Sequence, residues 1–331
     1  MKKRRKTLSV YSEELERIAR RDPLHPVTVK EKDLLMRLKE DCKTLHQTII
    51  PRIIDCVNYK EYTEVKDLHN LLRAWPIIEL QYALQLLDHK YPDERVHEYA
   101  VKCLSAAQVQ DETIEMFMFQ LVQALKHQNY HDSALCRFLM KRALNNQRLG
   151  HKFFWSLRCE ISSDFSNLNL VLILEAYLLA APAHLEILRA QRQFLLRLKS
   201  INDTLELQQS RNPDFAKRQE IFMENIKRFF VTPSTPDLDL ISITDPTLRF
   251  NQIDLKNCAL MKSKKKPQKI FFNNFDSVYQ LEKQLENISF IFKIGDDLRQ
   301  DCLILQILKI MDMLWKQNGK IDNGIEIQLR Q

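Results

Sequence analysis

Glycine is scarce in this chain, since only 4 of the 331 residues are glycine. The glycine-rich phosphate loops GxGxxG and GxxxxGKS/T do not occur in the sequence. Prolines number 11, and the first two thirds of the chain is dense in Leu, Ala, Glu, Lys, Gln and Arg. Because most of these residues favour helices, the sequence predicts a mainly α-helical protein.

The chain also lacks the patterns that mark a metal centre, a secreted protein or a membrane span. Seven cysteines occur, but none belongs to a CxxC pair or to the cysteine–histidine spacings of zinc sites. There is no signal peptide, and no apolar run approaches the roughly 20 residues that cross a bilayer. These absences predict reduced thiols, a cytoplasmic location and no metal site.

Positive charge is concentrated in two short runs. The net charge is +7, and the runs are KKRRK at residues 2–6 and KSKKKPQK at 262–269. Such runs favour anionic lipid, phosphate or nucleic acid, although a solvated tail explains the first run equally well. Neither run has the interleaved aromatic residues of a nucleic-acid stacking platform, so we expect no nucleic-acid partner.

Residues 28–161 alternate helical stretches with short turns. Helix pairs repeating at roughly 35 to 45 residues predict an α-solenoid of the HEAT or armadillo type. Within one stretch, Val96, Tyr99, Ala100 and Cys103 fall on one helical face and are expected to be buried. Gly150 is predicted to end a helix, with a new apolar helix starting after it.

The composition changes after two longer helical stretches, at about 166–201 and 214–230. Residues 231–250 are rich in Pro, Thr, Ser and Asp, which is typical of a linker or an extended crossing segment. Beyond it, short apolar runs near residues 258 and 270 and over 287–293 predict three strands. A tight turn and a long buried helix follow the third strand.

Two parts of this region could contact phosphate. Lys293 at the end of a strand and Asp301 one turn into the next helix can hold and orient a nucleotide-binding ammonium. From these residues alone, a surface lysine beside a capped helix is the simpler interpretation. The basic hairpin MKSKKKPQK (261–269) could cover a polyphosphate, and solvated charge is an equally good interpretation.

Several blocks in order resemble the catalytic subunit of the phosphoinositide 3-kinase family, most closely class I. GHKFFW (150–155) and FKIGDDLRQD (292–301) are the most specific of these blocks, and the resemblance covers about residues 21–319. It implies an accessory helical domain followed by an incomplete α+β kinase N-lobe. The implied organisation is a basic tail and short helix at 1–20, the HEAT-like accessory domain at 21–200, a helix and linker at 201–244, the partial N-lobe at 245–319, and an unmatched tail at 320–331.

The resemblance also implies roles for individual residues. Lys293 would contact the nucleotide phosphates and Asp301 would help to orient it, while Ser263 and Lys265 would be the phosphate contacts of the covering loop. Lys269 stands where the family usually has a tryptophan that packs on the nucleotide. Where several class I members have acidic residues that meet a regulatory subunit, the chain has an HPVTVKEK stretch at residues 25–32.

Two functional hypotheses follow. The first is a fragment of a phosphatidylinositol 3-kinase, which uses ATP and Mg²⁺ to phosphorylate the inositol ring of membrane phosphoinositides. No catalytic loop or metal-binding Asp follows Gly319, so this hypothesis assigns no catalytic residue and expects the chain to be inactive alone. The full-length protein would be cytoplasmic, recruited peripherally to membranes, and could bind a regulatory subunit or a small GTPase. The alternative is a non-catalytic HEAT-like scaffold that binds a protein partner.

Overall fold

The computed structural model describes residues 2–106, 109–163, 167–209, 214–231, 240–263, 267–274, 287–317 and 319. Helices dominate and a small antiparallel sheet accompanies them, which confirms the mainly α-helical prediction. The chain divides into two units, Met1–Tyr177 and Leu178–Gln331. The boundaries drawn from the sequence stay predictions, and the one at residue 200 falls inside a continuous helix.

The first unit is built from helices joined by short turns. Their bounds are α1 Lys2–Arg20, α2 Val29–Leu45, α3 Ile50–Asp55, α4 Tyr62–Ala74, α5 Leu80–Gln85, α6 Glu94–Leu104, α7 Asp111–Met116, α8 Met118–Leu125, α9 Ala134–Asn145, α10 Gln147–Ser163 and α11 Leu168–Ala180, the last of which runs into the second unit. Helix α6 buries the face predicted for it: Val96, Tyr99, Ala100 and Cys103 are all buried. Whether these helices form a HEAT-like solenoid stays a prediction.

Helix α10 corrects the prediction for Gly150, which lies inside the first turn of α10 instead of ending a helix. The break falls earlier because the Asn146 side-chain oxygen accepts hydrogen bonds from the backbone N–H groups of Arg148 (3.0 Å) and Leu149 (3.4 Å). Gly150 is instead a site of close approach. A Cβ there would lie 2.3 Å from Tyr177 Oη and 2.6 Å from the carbonyl oxygen of Ala143.

A buried arginine organises the turn between α1 and α2. Arg52 is 4% exposed, and its guanidinium donates hydrogen bonds to the carbonyl oxygens of Arg21 (3.0 Å), Pro23 (3.2 Å) and His25 (2.9 Å). A buried charge of this kind is tolerated only when it is hydrogen-bonded. Arg52 therefore holds residues 21–25 in a defined conformation.

Glu31 fixes the same turn from the start of α2. Its carboxylate accepts two hydrogen bonds from Arg21, at 2.9 and 3.0 Å, and one from the backbone N–H of Thr28 at 2.9 Å. Thr28 and Glu31 thus form a capping box. The hydrogen bonds from the Arg21 guanidinium lower the pKa of Glu31 from 4.5 to about 2.

The second unit contains two long helices, five short strands and a final helix among its described residues. These are α12 Pro182–Gln209, α13 Phe215–Phe230, β1 Leu240–Ile241, β2 Arg249–Ile253, β3 Ala259–Leu260, β4 Gln268–Asn274, β5 Asn287–Phe292 and α14 Arg299–Gln317. The predicted strands correspond to β3, β4 and β5. The segment interpreted as a linker or crossing segment contributes β1 and the start of β2, which pair with each other.

Strand β4 is the centre of the sheet. Strand β5 pairs antiparallel with it over Gln268–Asn273, and β2 and β3 pair antiparallel with its two ends. Because β5 occupies one edge of β4, β2 and β3 share the opposite edge. The seven residues of β4 therefore pair with three other strands.

Phenylalanines join the helices to this sheet. Phe272 on β4 lies 4.3 Å from Phe250 on β2 and 5.7 Å from Phe194 on α12, measured between ring centroids. Phe194 is in turn 5.4 Å from Phe230 on α13. These separations suit the offset and edge-to-face contacts that aromatic rings prefer, and the rings belong to the core of the second unit together with leucine and isoleucine side chains.

Gly150→Ala is expected to lower the free energy of unfolding by about 1–3 kcal/mol, because the added methyl group overpacks the contact with Tyr177 and Ala143. Urea titration of the full chain measures this change. Arg158→Ala, at an exposed position of the same helix, is the matched control and should change the value little. Combining Gly150→Ala with Tyr177→Phe removes the closest atom and should recover part of the loss. Equal effects of Gly150→Ala and Arg158→Ala would contradict the assignment.

The lowered pKa of Glu31 predicts a pH-dependent contribution to stability. A carboxylate with a folded pKa of about 2 and an ordinary value of 4.5 stabilises the fold fully above 4.5. The contribution falls as the pH drops from 4.5 toward 2. Glu31→Gln should therefore cost about 1–3 kcal/mol at neutral pH, and the difference from the unaltered chain should shrink across that window.

Urea titrations at several pH values measure the difference. Glu13→Gln, which replaces an exposed glutamate on α1, is the control and should show a much smaller difference at neutral pH. A Glu31→Gln difference that stays constant from neutral pH down to pH 2 would contradict the role given to the Arg21–Glu31 pair.

Candidate functional site

The segment around Lys293 forms the strand, turn and helix predicted from the sequence. Strand β5 ends at Phe292, immediately before Lys293. Gly295 then adopts a φ of 73°, a left-handed conformation that glycine adopts without strain. The carbonyl oxygen of Leu298 accepts a hydrogen bond from the backbone N–H of Cys302 at 2.9 Å, which starts α14. Lys293 is thus held at the end of a strand that is paired along its length.

Lys293 has an acidic neighbour other than the predicted one. Its Nζ atom lies 4.0 Å from Asp296 Oδ2, and about a third of its side chain is exposed. Asp301 is exposed in the first turn of α14, where a carboxylate complements the helix dipole. Among the described residues, no hydrogen bond or ion pair joins Asp301 to Lys293. An orienting role for Asp301 stays a prediction.

Strands β3 and β4 pair antiparallel on either side of the predicted basic hairpin, of which residues 264–266 lie outside the described part of the chain. Leu260 pairs with Gln268, and the backbone N–H of Met261 donates to the carbonyl oxygen of Pro267 at 2.9 Å, closing the loop. Ser263 lies in this loop and is exposed. Lys265 lies outside the described residues, so its predicted contact is not described. Lys269 lies on β4 with Nζ 4.7 Å from the centre of the Phe271 ring.

The strand register brings the hairpin and Lys293 to the same end of the sheet. Gln268 pairs with Leu260 on one side and with Phe292 on the other, so these three residues form one row across β3, β4 and β5. Neighbouring strands are about 4.8 Å apart, which separates Leu260 from Phe292 by about 10 Å. Met261 and Pro267, which flank the undescribed residues 264–266, and Lys293 therefore follow or precede the same row of the sheet.

An ion pair that sequence reasoning missed stiffens the turn after Lys293. The Arg299 side chain donates to both carboxylate oxygens of Asp297, at 2.6 to 3.0 Å, and its backbone N–H donates to Asp297 Oδ1 at 3.1 Å. The hydrogen bonds from the Arg299 side chain lower the pKa of Asp297 to about 2. An aspartate two residues before an arginine, at the start of a helix, was the available signal.

Helix α14 is only partly buried, which corrects the prediction of a long buried helix. Leu303, Ile307 and Leu314 share one face, and each is between 46% and 47% exposed. Ile304 and Trp315 are also exposed. The described residues therefore leave an apolar helix face uncovered beside the candidate site.

Within the described part of the chain, no single helix is long and apolar enough to cross a membrane. One bent pair, Leu168–Ala180 with Pro182–Leu207, meets the test by length and composition only.

The turn at residues 24–29, which overlaps the 25–32 stretch, forms a second candidate contact surface. Residues 21–25 are held by Arg52 and Glu31 anchors the start of α2, while Leu24 is 92% exposed and Val29 is 77% exposed. Pro26 is exposed as well. The turn thus presents apolar side chains from a fixed backbone. Binding of a regulatory subunit here stays a prediction.

Comparison with known proteins relates both units to lipid kinases. The model of the phosphoinositide 3-kinase family accessory domain (PIK domain) matches residues 3–189, which is more than half of the chain. The model of phosphatidylinositol 3- and 4-kinase matches residues 287–328, a range that includes Lys293 and α14.

Three curated relatives from Dictyostelium discoideum match most of the chain. Phosphatidylinositol 3-kinase 1 is 32% identical over 311 residues, covering 92% of this chain and 18% of the relative. Phosphatidylinositol 3-kinase 2 is 32% identical over 299 residues, covering 90% and 15%, and phosphatidylinositol 3-kinase 3 is 32% identical over 312 residues, covering 93% and 17%. The chain spans less than a fifth of the length of these relatives. It belongs to the phosphoinositide 3-kinase family.

Proposed function

We propose that this chain supplies the accessory helical domain and the first part of the kinase domain of an ATP-dependent phosphatidylinositol 3-kinase. The reaction would transfer the γ-phosphate of ATP to the inositol ring of a membrane phosphoinositide. One observation carries the proposal: the row of Leu260, Gln268 and Phe292 brings the basic hairpin and Lys293 to one end of the sheet. A lysine on a strand beside a covering loop is the arrangement that protein kinases use to hold nucleotide phosphates.

Lys293 is the residue to which we assign the central role. Its ammonium is a compact positive charge, and its backbone directly follows the paired strand β5, which restricts its position. The ammonium would neutralise and position the nucleotide phosphates. Asp296, 4.0 Å away, is a partner at the limit of ion-pair distance that a polyphosphate would displace. Asp301 would help to orient the lysine once nucleotide is bound, and Ser263 and Lys265 would contact the phosphates from the loop.

ATP would bring Mg²⁺ with it, and Mg²⁺ would neutralise charge that develops on the phosphates. The described residues contain no group of three or more His, Cys, Asp or Glu side chains that could hold a metal ion. We therefore assign no Mg²⁺ ligand among them. We also assign no residue there as the base that activates the inositol hydroxyl, so the role of this chain is to bind and position.

The helical unit would act as the scaffold of the kinase. We propose a HEAT-like solenoid, which is supported by the packing of neighbouring helices such as α5 on α6 and α9 on α10. A cytoplasmic protein that is recruited peripherally to membranes fits the proposed lipid substrate. Co-sedimentation of the native protein with phosphoinositide vesicles tests that recruitment. A native protein that does not sediment with the vesicles would count against peripheral recruitment to membranes.

Lys293→Met, introduced into the native gene, is expected to reduce lipid kinase activity by about 100-fold or more, because an electrostatic contact to the phosphates is lost. The measurement is the formation of 3-phosphorylated phosphatidylinositol from vesicles and ATP by the immunopurified native protein. Lys309→Met removes an exposed lysine from α14 and serves as the matched control, which should retain activity. Equal melting temperatures of both variants would show that neither is misfolded.

Two results would count against the proposal. In the first, the unsubstituted native protein forms no 3-phosphorylated lipid. This result would contradict the kinase assignment and favour the alternative, a non-catalytic scaffold that binds a protein partner. Full activity of the Lys293→Met variant would disprove the nucleotide-binding role of Lys293, while the kinase assignment itself would stand.

A further inference from the structure

A cavity of about 150 Å³ lies between α4 and α6 in the first unit, away from the residues discussed so far. Helix α4 contributes Leu72 and Arg73 to its walls, and α6 contributes Arg95, Tyr99 and Lys102. The α6 residues are four, then three positions apart, so they share one helical face. The cavity is thus a groove formed where two packed helices meet.

The volume limits what the groove can hold. A single water needs roughly 10–15 Å³ of such space, and pockets for drug-sized ligands start at about 300 Å³. At about 150 Å³ the groove is too small for a nucleotide cofactor and large enough for one compact polar group. A phosphate group with the first atoms of its carrier is of that size.

The charge of the groove is positive and only partly neutralised. Glu98 pairs with Arg95 at 2.7 Å. Within the described residues, neither Arg73 nor Lys102 has an acidic side chain at ion-pair distance. Three cations and one carboxylate therefore face the cavity, and two of the cations are free of an acidic partner.

A further acid, Asp93, immediately precedes α6. One of its oxygens accepts a hydrogen bond from the backbone N–H of Arg95 at 2.9 Å and caps α6. The other accepts from His69 Nε2 at 2.7 Å. Asp93 thus holds the start of α6 together with His69, which also lines the cavity.

The floor of the groove is formed by buried side chains. Leu72 and Tyr99 are each 4% exposed. The Tyr99 hydroxyl donates to the carbonyl oxygen of Pro76 at 2.6 Å, and burial raises the pKa of Tyr99, so the phenol stays neutral. The three cations themselves, Arg73, Arg95 and Lys102, are exposed at the mouth of the groove, so solvent and salt screen their charges.

We propose that the groove between α4 and α6 binds a phosphate monoester group. Arg73 would hold two phosphate oxygens with its planar fork, and Lys102 would act as a point charge. Arg95 lines the same cavity and adds positive charge against the opposing Glu98. The phosphate could be free in solution or carried on a lipid. The proposal is independent of the kinase assignment, since it concerns only residues of α4 and α6.

The test uses the full chain with two probes. Radiolabelled inorganic phosphate in equilibrium dialysis reports a free ligand. Sucrose-loaded phosphatidylcholine vesicles, with and without phosphatidic acid, report a membrane-borne phosphate monoester. The double variant Arg73→Ala plus Lys102→Ala should weaken binding at least about 10-fold. Lys60→Ala plus Lys66→Ala removes the same charge from exposed positions nearby and should leave binding within about twofold.

A third variant distinguishes a loss of phosphate binding from a loss of structure. Glu98→Gln removes the one carboxylate that faces the cavity, so it should strengthen phosphate binding about threefold, which unfolding could not do. Saturable binding in either arm that follows these three variants supports the proposal, and the arm identifies the source of the phosphate. No saturable binding in either arm, or equal losses in the two double variants, would overturn it.

Discussion

The pairing of β4 with β5 is the constraint on which the candidate site depends. Alternate residues of the pair face the aromatic core: Ile270, Phe272, Ile288 and Phe290 lie on that side, and Ile270 pairs with Phe290. A shift of one residue would expose Phe290 and bury Ser289. The apolar core therefore fixes the register, and the register decides where Lys293 leaves the sheet.

The first unit uses a different device, in which buried or partly buried charges fix a turn. The Arg52 guanidinium donates hydrogen bonds to backbone carbonyl oxygens before α2, and the Glu31 carboxylate accepts one from the backbone N–H of Thr28. Charges replace apolar packing there because residues 21–28 are mostly exposed and have little core of their own. A turn fixed in this way can present Leu24 and Val29 to solvent without collapsing onto the helices.

Sequence reasoning located features that depend on local pattern. The buried face of α6 follows from its spacing, and the turn at Gly295 follows from a glycine between a β-rich run and a helical run. Features that depend on tertiary contacts were missed. Strand β1 has two residues and exists because β2 pairs with it, and Gly150 is needed because Tyr177 approaches it from another helix.

The same distinction applies to α14 and to the groove. An apolar stripe at helical spacing predicts burial, but the described residues provide no surface that covers Leu303 and Ile307. Arg73 and Lys102 are far apart in the sequence, and only the packing of α4 on α6 places them around one cavity. The sequence pattern shows which face of a helix is apolar or charged, whereas the tertiary fold determines which other elements contact that face.

The most direct test of the central claim is chemical labelling of Lys293 in the native protein by an acyl-phosphate derivative of ATP. This reagent transfers its acyl group to a lysine held beside the nucleotide phosphates, and mass spectrometry identifies the lysine that is modified. The account predicts labelling of Lys293 that excess ATP suppresses, with Lys309 labelled weakly and without competition. Labelling of Lys293 that matches Lys309 and is unaffected by ATP would contradict it.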